Sequence, residues 1–159
     1  MIRDSEMLDL FLLSISKFVK QRLVPAENAV AENDAIPEDI VQEMKDMGLF
    51  GMTIPQEYGG LGLTMEEEAL VAIELGRTSP AFRSLIGTNN GIGSAAIVFD
   101  GTEQQKQKYL PKYASGELIG SFCLTEPDVG SDASAIKTTA VKDGDNYIIN
   151  GTKRFITNA

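Results

Sequence analysis

At Glu117 the hydrophobic rhythm of this chain changes. Upstream, apolar residues recur at helical spacing. Downstream they alternate, or run as short β-branched stretches broken by Gly, Asn and Asp. A period near 3.6 buries one stripe of a helix, and a period of 2 buries one face of a strand. No single kind of element satisfies both. The expected class is therefore α+β: an all-α helical domain over residues 1–116, then the first strands of an antiparallel sheet or barrel over 117–159.

In the helical part, residues 5–23 set Leu8, Phe11, Leu12, Ile15, Phe18, Val19 and Leu23 on one face, with Asp4 or Ser5 as cap and Pro25 beyond the end. Glu27 to Asp34 reads as linker or frayed helix. Pro37 opens a helix carrying Ile40, Val41, Met44 and Met47, which Gly48 can close in a left-handed conformation. Leu49 to Leu63 interleaves Pro55 and four glycines with apolar anchors, the pattern of an ordered loop. It has no phosphate-loop Lys-Ser/Thr pair, so its glycines do not indicate nucleotide binding. Thr64 and Glu67 form a capping box for a helix with Leu70, Val71, Ile73 and Leu75 inward and Gly76 as its stop. Pro80 to Phe99 is apolar but rich in Gly, Ser and Ala around Asn89 and Asn90. Small residues there serve either tight helix packing or the wall of a cavity for an apolar ligand tail. Thr102 and Gln105 repeat the capping logic for a helix that Pro111 is expected to bend or shorten.

In the second part, Leu118–Thr125, Ala135–Val141, Tyr147–Ile149 and Lys153–Thr157 read as strands, with turns at Asp143–Asn146 and Asn150–Gly151. An antiparallel domain ending on a bare strand would expose an edge, so the chain is expected to be the front part of a longer protein.

Composition narrows the chemistry. With no His and one Cys, a His-based triad is excluded and a metal site disfavoured. A net charge of -9 argues against a general nucleic-acid surface. No apolar run reaches membrane-spanning length, and with Met1, Arg3 and Asp4 at the start neither a signal peptide nor an Arg-rich, acid-poor transit peptide is expected. Cys123 has no internal disulfide partner and is expected to be a small buried hydrophobe in a strand, which fits a reducing, cytoplasmic bacterial setting.

Two segments carry the candidate site: SFCLTEPDVGSD (121–132) and RFITN (154–158). The hydroxyls of Thr125, Ser131 and Thr157, with turn amides around Gly130, suit the edge of a large planar heterocycle and pyrophosphate oxygens. Phe155 offers an aromatic contact, and Leu124 and Ile156 a dry one. Taken singly, strand-end hydroxyls more often satisfy turns, and Glu126, Asp128 and Asp132 read as turn formers or caps, not as general bases.

These segments, with IPQEYGG (54–60), GTEQQK (101–106) and INGTKRFITN (149–158), make the chain resemble the front part of an acyl-CoA dehydrogenase over almost its whole length. The resemblance implies a helical N-terminal domain, a middle β-barrel domain begun here, and a C-terminal helical domain absent from the chain. It implies FAD, with Phe122, Cys123, Leu124, Thr125, Gly130 and Ser131 in a first flavin segment and Phe155, Ile156 and Thr157 in a second. Thr125 would bond the pyrimidine end and Thr157 the N5 side, while Ser131 would also meet the CoA moiety of the substrate. Many members carry Trp where this chain has Phe155, which keeps the ring contact but lacks an indole N–H. Asn89 and Asn90 would belong to the segment lining the acyl tail. The implied reaction is α,β-dehydrogenation of an acyl-CoA thioester to trans-2-enoyl-CoA, in fatty acid metabolism. Its base would be a Glu in the C-terminal domain, so no catalytic residue is expected in this chain and these residues alone are expected to lack turnover. The implied partners are an electron-transferring flavoprotein and, for the full protein, a homotetramer. A flavin oxidase or monooxygenase of the same fold and a non-catalytic acyl-CoA binding or scaffold protein are the alternatives.

Overall fold

The computed structural model describes residues 4–159, which fall into two compact units divided in sequence between Gly120 and Ser121. In the first unit, α1 (Ser5–Phe18) is capped by Asp4, whose carboxylate accepts the Met7 amide at 3.0 Å. The helix was expected to stop before Pro25, but it continues through a wide π turn (Val19–Leu23) into α2 (Val24–Asn33). Pro25 has no N–H to donate, and in an unbroken α-helix its ring would strike the carbonyl four residues back. The wide turn, in which the Val24 amide reaches Val19, offsets the ladder just ahead of that ring. Residues 27–33 are therefore helix rather than linker, and Asp34 ends them at φ 51.

Helix α3 (Glu38–Asp46) closes on Gly48 at φ 74, as expected. The loop that follows is ordered by its backbone. Leu61, Gly62 and Leu63 donate to the carbonyls of Gly51, Ile54 and Met52 at 2.9, 2.9 and 2.7 Å. A Cβ on Gly60 would fall 2.0 Å from the Ile54 oxygen, so no other residue fits that approach. The Thr64–Glu67 capping box forms and starts α4 (Met65–Leu75). Val71 and Leu75, four apart, are buried, whereas Ile73 lies on the opposite side and is exposed.

A wide turn at Asn89–Gly93 joins α5 (Pro80–Thr88) to α6 (Ser94–Asp100), with a break at Gly91. Helix α7 (Glu103–Ala114) starts on the second capping box and runs three residues past Pro111, which sits in the last turn and removes only one ladder bond. The core of this unit gathers Ile15, Leu23, Met44, Leu49, Phe50, Val71, Leu75, Phe82 and Ile86, all essentially inaccessible. A smaller cluster joins Ile54, Tyr58, Leu110 and Ala114.

The second unit is a hairpin and its flanking turns. Strands β1 (Thr139–Asp143) and β2 (Asn146–Asn150) pair antiparallel from Thr139↔Asn150 to Asp143↔Asn146. Gly144 takes the first turn position at φ 59, as the Asp-Gly-Asp-Asn phrase requires. Three strand expectations change. Residues 118–125 form no strand, because no described strand lies alongside to complete a ladder. The strand expected from Ala135 begins only at Thr139, since Ala133–Ala135 form a tight turn capped by Asp132. Residues 153–157 are not a strand either: Phe155 at φ 58 and Asn158 at φ 64 are left-handed, which breaks an extended run. Cys123, outside any sheet face, is exposed rather than buried. Both hairpin strands are exposed along their whole length, because a two-stranded sheet covers neither of its own faces.

Candidate functional site

The second unit brings the two expected segments side by side. Arg154 N–H donates to the Thr125 carbonyl at 2.9 Å. Lys153 Nζ donates to the Leu124 carbonyl and to Glu126 Oε1, both at 3.0 Å. Glu126 is the hub of this arrangement. It is 5% exposed and also accepts Lys137 N–H at 2.8 Å, Thr138 N–H at 2.9 Å and the Thr138 hydroxyl at 2.5 Å. The Thr138 hydroxyl first, then the Lys137 amide and the Lys153 ammonium, hold the Glu126 carboxyl down to about 2 against the opposing effect of desolvation. A general base works best with a pKa near the operating pH, so this fixed anion is unsuited to accepting a proton. Sequence reasoning placed Glu126 in a turn but missed the hub. Its partners lie 11, 12 and 27 residues away, with no local spacing to announce them. Asp128 forms an exposed ion pair with Lys137 at 2.9 Å, and Asp132 caps its turn, so neither acid stands free.

Around this frame lie the expected ligand groups. The side-chain hydroxyls of Thr125, Ser131 and Thr157 have no hydrogen-bond partner among the described residues. Thr125 is half-buried, and Ser131 and Thr157 are exposed. Nothing lies within 4 Å of the position a Gly130 Cβ would take, so a ligand can approach that backbone. Phe122, Leu124 and Phe155 present exposed apolar surface, Phe155 at 82%, and Ile156 is half-buried. The Arg154 guanidinium sits 4.7 Å from the Phe155 ring centroid, a cation–π contact that steadies the ring from one side. Hydroxyls with no described partner and exposed apolar side chains thus occur on the same two segments. A cavity of ≈ 230 Å³ beside the same turn, lined by Glu126, Asp128, Lys137 and Thr138 among others, includes none of these ligand groups.

In the first unit, Asn89 and Asn90 are buried and their carboxamides bond to backbone. Asn89 Nδ2 donates to the carbonyls of Phe50 (2.9 Å) and Tyr113 (3.1 Å), and its Oδ1 accepts Gly120 N–H at 2.9 Å. Asn90 Nδ2 donates to Leu49 (2.6 Å) and Ile86 (3.0 Å), and its Oδ1 accepts the Thr53 amide at 3.3 Å. The Thr53 hydroxyl donates to the Asn90 carbonyl. The open side of this wide turn is instead at Gly91, where a Cβ would meet nothing within 4 Å, and at exposed Ile92. A separate, mostly apolar groove of ≈ 340 Å³ runs between α1, α4 and the loop at 56–63, and none of the expected site residues borders it. Among the described residues no acid–thiol cluster could hold a metal, and no helix is long and apolar enough to cross a membrane.

The model of the acyl-CoA dehydrogenase N-terminal domain matches residues 5–117, and that of the middle domain matches 121–159. The chain belongs to the acyl-CoA dehydrogenase family. An acyl-CoA dehydrogenase of Bacillus subtilis is 37% identical over 144 residues, 91% of this chain and 38% of that protein. The crystal structure of an acyl-CoA dehydrogenase from Geobacillus kaustophilus superposes with a TM-score of 0.89 at 38% identity, covering 98% of this chain and 41% of that one. That of an acyl-CoA dehydrogenase complexed with FAD from Bacillus anthracis gives 0.86 at 35% identity, covering 98% and 27%. The chain thus spans well under half the length of these relatives. The α+β class read from the sequence, a helical domain followed by antiparallel strands, is the fold of this acyl-CoA dehydrogenase family member.

Proposed function

We propose that the protein is an FAD-dependent acyl-CoA dehydrogenase, and that this chain supplies one edge of the flavin seat and part of the substrate site. The observation that carries it is the junction of the two segments: Arg154 on Thr125 and Lys153 on Leu124 and Glu126, beside three hydroxyls with no described partner. The domain order is then a helical domain over 1–116, the start of a middle domain over 117–159, and a C-terminal helical domain outside this chain.

Bound FAD would supply the acceptor for the hydrogen that leaves the β-carbon. Thr125 and Thr157 would hydrogen-bond the ring edge, and Phe122, Cys123, Leu124, Phe155 and Ile156 would keep water off it. Gly130, without a side chain, and Ser131 would let backbone and hydroxyl meet phosphate or the CoA moiety. Asn89 and Asn90, their amides bonded to backbone, would hold the wall beside the acyl tail in shape while Gly91 and Ile92 face it. The α-proton would go to a carboxylate from outside these residues, since Glu126 is held ionised well below neutral pH and Asp128 and Asp132 are engaged in turns. The proposal extends to an electron-transferring flavoprotein as oxidant, a homotetramer and a role in fatty acid metabolism, which the family resemblance supports, and to a bacterial cytoplasmic setting, which the single cysteine supports.

The test is the visible spectrum of the whole gene product mixed with FAD and then with acyl-CoA. Flavin bands that bleach on adding the thioester are expected. No flavin bands would overturn the cofactor, and bands that persist would favour a binding or scaffold role. Rapid reoxidation by oxygen would favour an oxidase.

A further inference from the structure

Glu126 and Lys153 form an ion pair unlike the others among the described residues. Their side chains are 5% and 21% exposed, against 72% and 70% for Asp128 and Lys137 and 60% and 47% for Glu117 and Lys112. Burying two charges costs desolvation that their attraction barely offsets, so such a pair is a poor device for stability alone. It is a good device for geometry, because its bonds are directional and fail together. We infer that Glu126 and Lys153 act as a positioning pair that sets the spacing between the two segments assigned to the flavin.

The bonding pattern carries this. Leu124, Thr125 and Glu126 each accept one bond from Lys153 or Arg154. The ammonium has three donors, and two of them bracket Thr125 on either side along the chain. The Thr125 carbonyl is held by the next residue, Arg154. Thr125 is thus held through its own carbonyl and through both of its neighbours while its hydroxyl has no described partner, so Lys153 sets where that residue sits without needing to touch a ligand. Glu126 extends the frame through Lys137 and Thr138, which lead into β1. The charged groups around the carboxylate are Lys153 and Lys137, with Asp128 paired to Lys137. Glu126 and Lys153 are positioning residues, not catalytic ones.

The inference rests on the flavin assignment above, and its test separates the two. In the whole gene product, Lys153→Met removes both ammonium bonds, and Lys153→Arg keeps the charge and offers two donors. Fluorescence titration of the apoprotein with FAD should show the Met variant weaker by about tenfold or more, the scale of one charge-assisted hydrogen bond. The Arg variant should recover most of that loss. Hydrogen exchange of the peptide spanning 150–156, read by mass spectrometry without flavin, should quicken in the Met variant and return toward wild type with Arg. Glu126→Gln, which keeps an acceptor for Thr138 but loses the charge, should move both readouts in the same direction and guards against a Lys153 variant that fails to fold. Unchanged exchange, FAD affinity within about twofold of wild type, or Arg no better than Met would overturn the pair. A wild-type protein that binds no FAD would overturn the flavin assignment, and with it the positioning role; exchange that still quickens would leave only a structural tie.

Discussion

Asn89 is the most exacting polar side chain in the helical unit, and removing it gives a direct test of how the wide turn at Asn89–Gly93 is held. The residue is fully buried and makes three bonds, to Phe50, Tyr113 and Gly120, from three separate stretches of chain. Asn89→Ala deletes all three. At ~1 kcal/mol net for each bond, the loss is about 3 kcal/mol, and it rises toward about 5 kcal/mol where a buried carbonyl finds no water in place of the amide. For a chain of this size about 3 kcal/mol corresponds to a fall in Tm of roughly 6–12 °C. Asn89→Asp sharpens the test. It keeps the shape but turns a carboxylate oxygen toward two carbonyl oxygens that now receive a donor. The buried acid would have a raised pKa, so its penalty should grow as pH rises above ~4 and ease as the acid is protonated. Urea unfolding followed by far-UV circular dichroism, with each variant compared to wild type at the same pH, reads both effects. Asn89→Ala within about 1 kcal/mol of wild type, or an Asp variant with no extra pH dependence, would refute the claim that these three bonds hold the turn.

Gly60→Ala should destabilise the helical unit by at least ~2 kcal/mol, because the new methyl lands on the Ile54 backbone and not on a yielding side chain; Gly59→Asn, in open space at φ 84, should cost far less, and the same unfolding assay compares them. Thr64→Ala should cost about 1 kcal/mol through loss of the capping box that starts α4, measurable in the same experiment. The Glu126 carboxyl, lowered to about 2, contributes stability that is fully present above its unfolded value and disappears as pH falls through the folded one. An NMR titration of the Thr138 amide should therefore show a midpoint near 2, absent in Glu126→Gln, and a midpoint near ~4 would contradict the bonding at the hub.

What the sequence made legible was local. Both capping boxes, the Gly48 stop and the hairpin at Gly144 depend on residues within four positions of one another, and each formed as read. The elements that went astray depend on partners far along the chain. Residues 118–125 have strand-like composition, but a strand exists only where another pairs with it. Cys123 was assigned a buried face on the same basis. The helix through Pro25 was misread because proline usually ends a helix, and nothing local announces a wide turn that accommodates one. At the candidate site, the hydroxyls and the aromatic were visible as residue types. The frame beneath them was not, since Lys153, Glu126 and Thr138 meet only in three dimensions.

The wide turn at Val19–Leu23 also sets how this part of the gene can vary in length. A π turn holds one residue more than an α turn, so it delays the rotation of everything after it by about 100°. That delay brings Leu23 and Val30 inward on the heels of Ile15 and Val19, and leaves Arg22 at the rim with Asp39 and Glu43. Exchanging exposed Lys20 or Gln21 for another polar residue leaves the phase intact. Deleting either one would close the π turn to an ordinary α turn, which keeps the phase of α2 but brings Pro25 into a regular ladder, where its ring strikes the carbonyl four residues back. Through this stretch the chain accepts new letters far more readily than a gap.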